Sequence, residues 1–175
     1  TANILVGEIG SGIVLDEPSV CCFIDDGGRS RLYAAGAGAH PIVERDEVTC
    51  VAGRGIEGDR FFDYKADYKG QITFFAAEVF ETLCDRLGVT GKTTADLRRN
   101  VITRGIDLTD WYEREFEVQG VRFWGMGECK PCYWMDRAIG AGAEDALRGN
   151  GGLRAKILSN GRLAVSAPVA ARRSA

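Results

Sequence analysis

The sequence predicts a mainly β protein, a barrel rather than a doubly wound sheet, and three observations carry that prediction. Short runs rich in β-branched and aromatic residues recur along the chain, most of them bounded by Gly, Asn or Asp. Helical periodicity is convincing only once. Two dipeptides, Gln119-Gly120 and Asn160-Gly161, separate such runs at the spacing of tight hairpin turns. A chain of 175 residues can bury a core without disulfide or metal support, so a single domain over 1–175 is expected.

Taken in order, the expected strands are "ILVGEI", "SVCCFI", "DEVTCVA", "QITFF", "NVIT", "EFEV", "VRFWGM", "LRAKIL" and "RLAVS". The segment "AAEVFETLCDRLG" is the expected helix. Val79, Phe80, Leu83, Cys84 and Leu87 fall on one face of it, which makes Cys84 a buried core thiol, and Gly88 supplies the stop. "TTADLRRN" reads as a capped single turn leading into the strand "VIT". A shorter helix is expected from Cys132 through "YWMDRAIG", with another turn at "EDALRG". The glycine-rich "DDGGRS" and "AAGAGAHP" read as surface turns.

Charge and composition exclude several classes. A formal charge of -3 and a pI near 5.3 argue against nucleic acid as a partner, because phosphate backbones are held by net basic surfaces. No apolar run approaches the roughly 20 residues that span a bilayer, so a membrane protein is not expected. The first residues lack the basic and apolar parts of a signal peptide. A cytoplasmic location is therefore expected, and Cys21, Cys22, Cys50, Cys84, Cys129 and Cys132 read as thiols. Arginine supplies 17 of the 22 basic residues, and its forked guanidinium suits phosphate and carboxylate. Codon bias accounts for the same count equally well.

Three stretches could carry chemistry. In "GRGIEGD", Gly53, Gly55 and Gly58 fit G-x-G-x-x-G, but "DRFFDYKADYKG" follows with no helical apolar face, and a dinucleotide loop must open a helix. The reading left is an irregular loop whose glycines take positive φ and whose Arg54, Asp59 and Arg60 stand at its rim, or a purely structural turn. In "LRRNVITRG", strand alternation sends Arg98 and Asn100 to one face and Arg99 to the other. An inward polar pair in a barrel mouth and a solvated edge strand both satisfy that spacing.

The third stretch is "GECKPCYWMD". Structural zinc needs four ligands, and neither the remaining cysteines nor the single His40 supplies a second pair at finger-like spacing. A dithiol oxidoreductase shares the local order of strand, C-x-P-C and helix, but βαβ units are missing around it. A single thiolate at Cys132, at the start of its helix and near basic residues, could bind a soft metal or carry sulfur. Plain packing of both thiols competes with these readings. Trp124, Trp134, Tyr133 and Phe123 flank the pair and serve either as walls for a flat ligand or as core.

The segments "VAGRGIEGDRFF", "GQITFFAAEVFETL", "LRRNVITRGIDLTDW", "GECKPCYWMD" and "GGLRAKILSNGRLAV", in that order, resemble the MOSC domain, the module named for the C-terminal part of molybdenum cofactor sulfurases. The likeness spans about residues 43 to 168 and leaves 1–42, with Cys21 and Cys22, unassigned. It implies a closed, largely antiparallel β-barrel of the pyruvate-kinase-barrel type with a few short helices. It also implies that the barrel binds molybdenum cofactor (Mo-molybdopterin) or carries sulfur as a persulfide. By the family pattern the second cysteine, Cys132, is the catalytic and metal-ligating residue and Cys129 its neighbour. The "GDR", "R-x-N" and "GGLRA" segments imply Asp59, Arg60, Arg98, Asn100 and Arg154 as cofactor-binding residues.

The chain leaves no room for the pyridoxal-phosphate domain of the sulfurases, so a separate cysteine desulfurase is the expected sulfur donor. A molybdoenzyme or the cofactor itself is the expected acceptor. The added N-terminal region of relatives like the amidoxime-reducing component, and the C-terminal helical extension of some bacterial relatives, are not expected. Two alternatives use the same residues: a molybdenum-dependent reductase of N-hydroxylated compounds with Cys132 as metal ligand, and a dithiol redox module using Cys129 and Cys132.

Overall fold

The computed structural model describes residues 42–165 together with the strands at 6–9, 12–15 and 21–25. Along the chain run β1 (Val6–Ile9), β2 (Gly12–Leu15), β3 (Cys21–Asp25), β4 (Ile42–Arg45), β5 (Glu47–Val51), β6 (Gly55–Ile56) and β7 (Ile72–Ala76). Helix α1 (Ala77–Leu87), a 3-10 turn (Thr94–Leu97), β8 (Val101–Thr103) and a second 3-10 turn (Leu108–Trp111) follow. Then come β9 (Glu115–Val118), β10 (Val121–Glu128), α2 (Trp134–Ala138), α3 (Ala143–Ala146), β11 (Leu153–Ile157) and β12 (Gly161–Ala164). Strands β2, β4 and β6 went unpredicted. The stretches expected as glycine-rich surface turns, and His40, lie outside the described residues apart from Asp25.

The strands form one sheet in the order β1-β2-β9-β10-β11-β7-β8-β3-β4 and a small one in the order β12-β5-β6. The five strands from β9 to β8 curl into a half-barrel. Among the described residues hydrogen bonds do not close it, which corrects the expectation of a closed barrel. Pairing is mainly antiparallel, but β2–β9 and β7–β8 are parallel. The β7–β8 connection carries α1 and the first 3-10 turn, as a parallel pair requires a long crossover.

Both faces of β7 and β8 are covered, which explains why "ITFF" and "VIT" read as unbroken apolar runs. Phe74 and Val101 face the inside of the curl, while Phe75 and Ile102 face the helical layer. Inside the curl, Phe74 stands edge-on to Trp111, Phe116 and Phe123, and Trp111 stacks on Phe116 with centroids 4.1 Å apart. Phe123 is therefore core, and Trp124, next along β10, points to solvent. On the other side Phe80 and Leu83 of α1 pack with Leu97 and Met135. Cys84 is half-buried at the margin of this cluster rather than inside it, since α1 rests on the layer by a narrower face than its apolar pattern allows. Its thiol is pushed up by burial first, then by Asp85 and Asp96.

The two expected hairpins fared differently. Gln119 (φ 50°) and Gly120 (φ 78°) join β9 to β10 with both residues left-handed, as a type I′ turn demands. Asn160-Gly161 makes no hairpin. Strand β11 already pairs with β10 on one edge and β7 on the other, so β12 leaves for β5, and Asn160 Oδ1 accepts the Ala52 N–H at 2.8 Å.

Candidate functional site

The expected site residues meet in one hollow of about 190 Å³ at the ends of β7, β8 and β11. Asp59, Arg60, Arg98, Asn100, Arg154, Cys129 and Cys132 all line it. How each arrives there follows from its local backbone.

In the loop after β5, Gly53, Gly55 and Gly58 all take positive φ, as expected. Arg54 turns outward into a two-pronged pair with Asp63 (2.7 and 2.5 Å). Asp59 turns inward. It is 7% exposed and accepts the Phe61 N–H (2.9 Å) and Asn100 Nδ2 (3.1 Å), so it ties the loop to the start of β8 instead of standing at a rim. Arg60 lies over the Phe61 ring at 4.6 Å from its centroid.

Alternation failed at "RRN" because Arg98 is the left-handed cap (φ 56°) of the 3-10 turn, ahead of the strand. Arg98, Arg99 and Asn100 consequently all reach the hollow. Arg98 sits 5.6 Å from the centroid of Trp134, the one flanking aromatic that walls the site. Asn100 Oδ1 accepts from both the N–H and the hydroxyl of Thr73 (3.0 and 2.9 Å), so Asn100 also joins β7 to the Asp59 loop. Arg99, which the sequence reading set on the opposite face, donates to the carbonyls of Leu97, Cys129 and Gly151 at 3.2 to 3.3 Å. One guanidinium thereby clasps three wall segments.

The cysteine loop is held from several sides. The Cys129 N–H donates to Gly152 O at 2.8 Å, and a Cβ at Gly151 would overlap the Cys129 carbonyl oxygen and crowd Pro131. Helix α2 begins at Trp134 and not at Cys132, whose carbonyl accepts the Met135 N–H. Cys129 is 5% exposed and Cys132 is exposed. Arg154, placed by β11 opposite Thr73, faces both. Its own burial works against its charge, but the neighbouring Cys129, with Tyr68 and Cys132, outweighs this and raises its pKa.

Phe61 and Tyr68 line the hollow too, and the sequence reading missed them. They stack at 5.7 Å, with Tyr64 edge-on to both. The signal was present in "FFDYKADY", where the rings recur at intervals of three and four without any helix to use that period. Burial raises the Tyr68 pKa, while Arg154 pulls it down.

Comparison with known proteins bears on the fold. The YuaD protein from Bacillus subtilis matches with a TM-score of 0.63 at 18% identity, over 85% of this chain and 93% of that one. YiiM from Escherichia coli matches with a TM-score of 0.58 at 14% identity, over 86% of this chain and 67% of that one. YiiM from Geobacillus stearothermophilus matches at 0.56 and 16%, over 73% of this chain and 61% of that one. YuaD and YiiM are MOSC-domain proteins, and at these identities the likeness shows a MOSC-like fold alone. The sequence matches no family model and no curated protein.

The donor set can be compared with the cofactor that the sequence resemblance implies. Among the described residues no cluster of three or more His, Cys, Asp or Glu side chains could cage a metal ion. The hollow instead offers one exposed thiol, several guanidinium groups and flat aromatic walls. That set fits a metal arriving on its own organic ligand, which needs one further donor, a phosphate clamp and a surface for a planar ring. Among the described residues no helix is long and apolar enough to cross a membrane.

Proposed function

We propose that the chain is a MOSC-type protein that holds molybdenum cofactor (Mo-molybdopterin) in this hollow and carries sulfur as a persulfide on Cys132. The observation that carries the reading is the convergence of the exposed Cys132 thiol with Arg60, Arg98 and Arg154 on one aromatic-walled hollow. Guanidinium forks at its rim hold the phosphate, and Trp134, Phe61 and Tyr68 flank the ring system. When bound, the cofactor supplies a molybdenum centre that the chain's own residues cannot provide. Asp59 and Asn100 act behind these groups, fixing the loop that presents Arg60.

Sulfur loading is written on this chain's atoms. The Cys132 thiolate attacks the outer sulfur of a donor persulfide, the new sulfur–sulfur bond forms on Cys132, and the donor cysteine leaves as thiolate. A separate cysteine desulfurase is the proposed donor. Protein from a cofactor-competent host is expected to contain pterin and molybdenum and to take up sulfane sulfur. Cys132→Ala is expected to take up none. Uptake by that variant equal to wild type removes the reading, and turnover of an amidoxime by the same preparation moves the assignment to a reductase.

A further inference from the structure

Cys129 is buried, yet among the described residues it belongs to neither apolar cluster. A cysteine retained for packing would sit among the aliphatic and aromatic side chains of those clusters. Cys129 instead lines the arginine hollow and faces the Arg154 guanidinium. Its backbone is held at both ends, by Gly152 O on the N–H and by Arg99 Nη2 on the carbonyl (3.3 Å). Cys132 follows across a Lys-Pro link and lines the same hollow from its exposed side. One thiol therefore lies within and the other at the mouth, at the C-x-x-C separation at which two cysteines can close a disulfide.

We propose that Cys129 is the thiol that discharges the sulfur carried on Cys132, releasing it as hydrosulfide inside the arginine-lined hollow; the inference rests on the sulfur-carrier reading above. Cys129 Sγ attacks Sγ of the Cys132 persulfide. The Cys129–Cys132 sulfur–sulfur bond forms, the bond from Cys132 Sγ to the terminal sulfur breaks, and the terminal sulfur leaves with the bonding pair. The proton shed by Cys129 ends on that sulfur, which departs as HS⁻. The two cysteines are together oxidised by two electrons and the departing sulfur is reduced by two. An external low-molecular-weight thiol or dithiol returns the pair to its reduced state by disulfide exchange. Without Cys129, discharge would need an outside thiol to reach the persulfide directly. With it, the attacking sulfur comes from the same loop and release is confined to the hollow.

The test uses the full chain, charged by a cysteine desulfurase with radiolabelled L-cysteine and desalted. Labelled sulfide is followed together with peptide mass mapping of residues 127–136. Wild-type protein is expected to release labelled sulfide in step with the appearance of a Cys129–Cys132 disulfide, about one of each per persulfide. Cys129→Ser is expected to keep the label as persulfide on Cys132 and to release it at least about tenfold more slowly, since the intramolecular thiol is gone. Because Cys129 is buried and the variant can lose its fold, the wild-type measurement stands alone: stable persulfide with no disulfide overturns the inference. Equal release from a folded Cys129→Ser protein overturns it as well. In either case label on Cys132 leaves the carrier reading in place, whereas failure of label to enter Cys132 in any form removes both.

Discussion

Tyr68 and Tyr112 are comparably buried tyrosines in two hollows, and their surroundings act on them in opposite senses. For both, burial is the largest influence and raises the phenol. At Tyr68 the next is Arg154, which pulls the value back. At Tyr112 the next are the carboxylates of Glu128 and Asp107, which add to burial and push it up to about 12. The larger hollow, about 380 Å³, is the one around Tyr112, with Glu78, Asp107 and apolar residues such as Ile106 on its walls. The smaller one gathers four arginines and a single carboxylate in a chain whose net charge is -3. Volume alone would favour the larger hollow. What favours the smaller one as the proposed site is the local sign of charge beside an exposed thiol.

The contrast can be attacked at several points. Gly151 and Gly149 sit on the same turn, and only at Gly151 would a Cβ meet backbone. Gly151→Ala is expected to cost about 1–3 kcal/mol through overpacking against the cysteine loop. Gly149→Ala, where a Cβ meets nothing but φ is +82°, is expected to cost about 1 kcal/mol. Denaturant unfolding of both compares them, and an equal or larger loss at Gly149 would show that the cysteine loop is not tightly seated. Arg154→Gln is expected to lower pterin retention by at least about tenfold, the effect of losing one charged hydrogen-bonding group. Asp107→Asn, in the other hollow, is expected to leave retention unchanged, and a similar fall there would erase the distinction.

Smaller effects sharpen the larger hollow's character. Asp107 accepts from the N–H and hydroxyl of Thr109 (2.9 and 2.6 Å), which hold its carboxyl below the usual range. Asp107→Ala is expected to cost about 1 kcal/mol as a lost helix cap. Because the folded value is depressed, that contribution is complete above the ordinary carboxylate pKa of roughly 4 and fades as pH falls through the lower folded value. Stability measured against pH should show the wild-type and variant curves converging in acid. Tyr112 behaves oppositely at the alkaline end: its folded value is raised from 10.0 to about 12, so its contribution is whole below pH 10 and is lost as pH climbs towards 12. Tyr112→Phe should remove a phenolate absorbance step near pH 12 and flatten the stability curve there.

Legibility varied with how far apart the deciding partners lie. Helix α1 with Gly88 (φ 63°) at its end, the Thr93/Asp96 capping box and the Gln119-Gly120 turn were all readable within a few neighbouring residues. Asn160-Gly161 carried an equally good turn signal and made no hairpin, because the decision lay with β7 and β10 on the two edges of β11. The candidate residues singled out in the sequence do gather in one hollow, but their contacts there were not legible. Asp59 was expected at the loop's rim and is an internal tie, and Arg99, set by alternation on the face opposite Arg98 and Asn100, reaches the same hollow and clasps the cysteine loop. Phe61 and Tyr68 needed the folded loop to bring them beside Arg60.

By itself, then, the order of residues determined the strand-rich class, the principal helix and which motifs carry guanidinium and thiol groups, since hydrophobic period, caps and left-handed dipeptides act over short stretches of chain. Only the tertiary structure decided that the sheet stays open, that Cys129 lies inside while Cys132 is exposed, and that the arginines share one hollow. Those outcomes depend on bonds between residues far apart in the chain, 27 positions for Asn100 and Thr73, 41 for Asn100 and Asp59, and 52 for Arg99 and Gly151. Local pattern holds no information about a partner at that distance until packing has brought the two together.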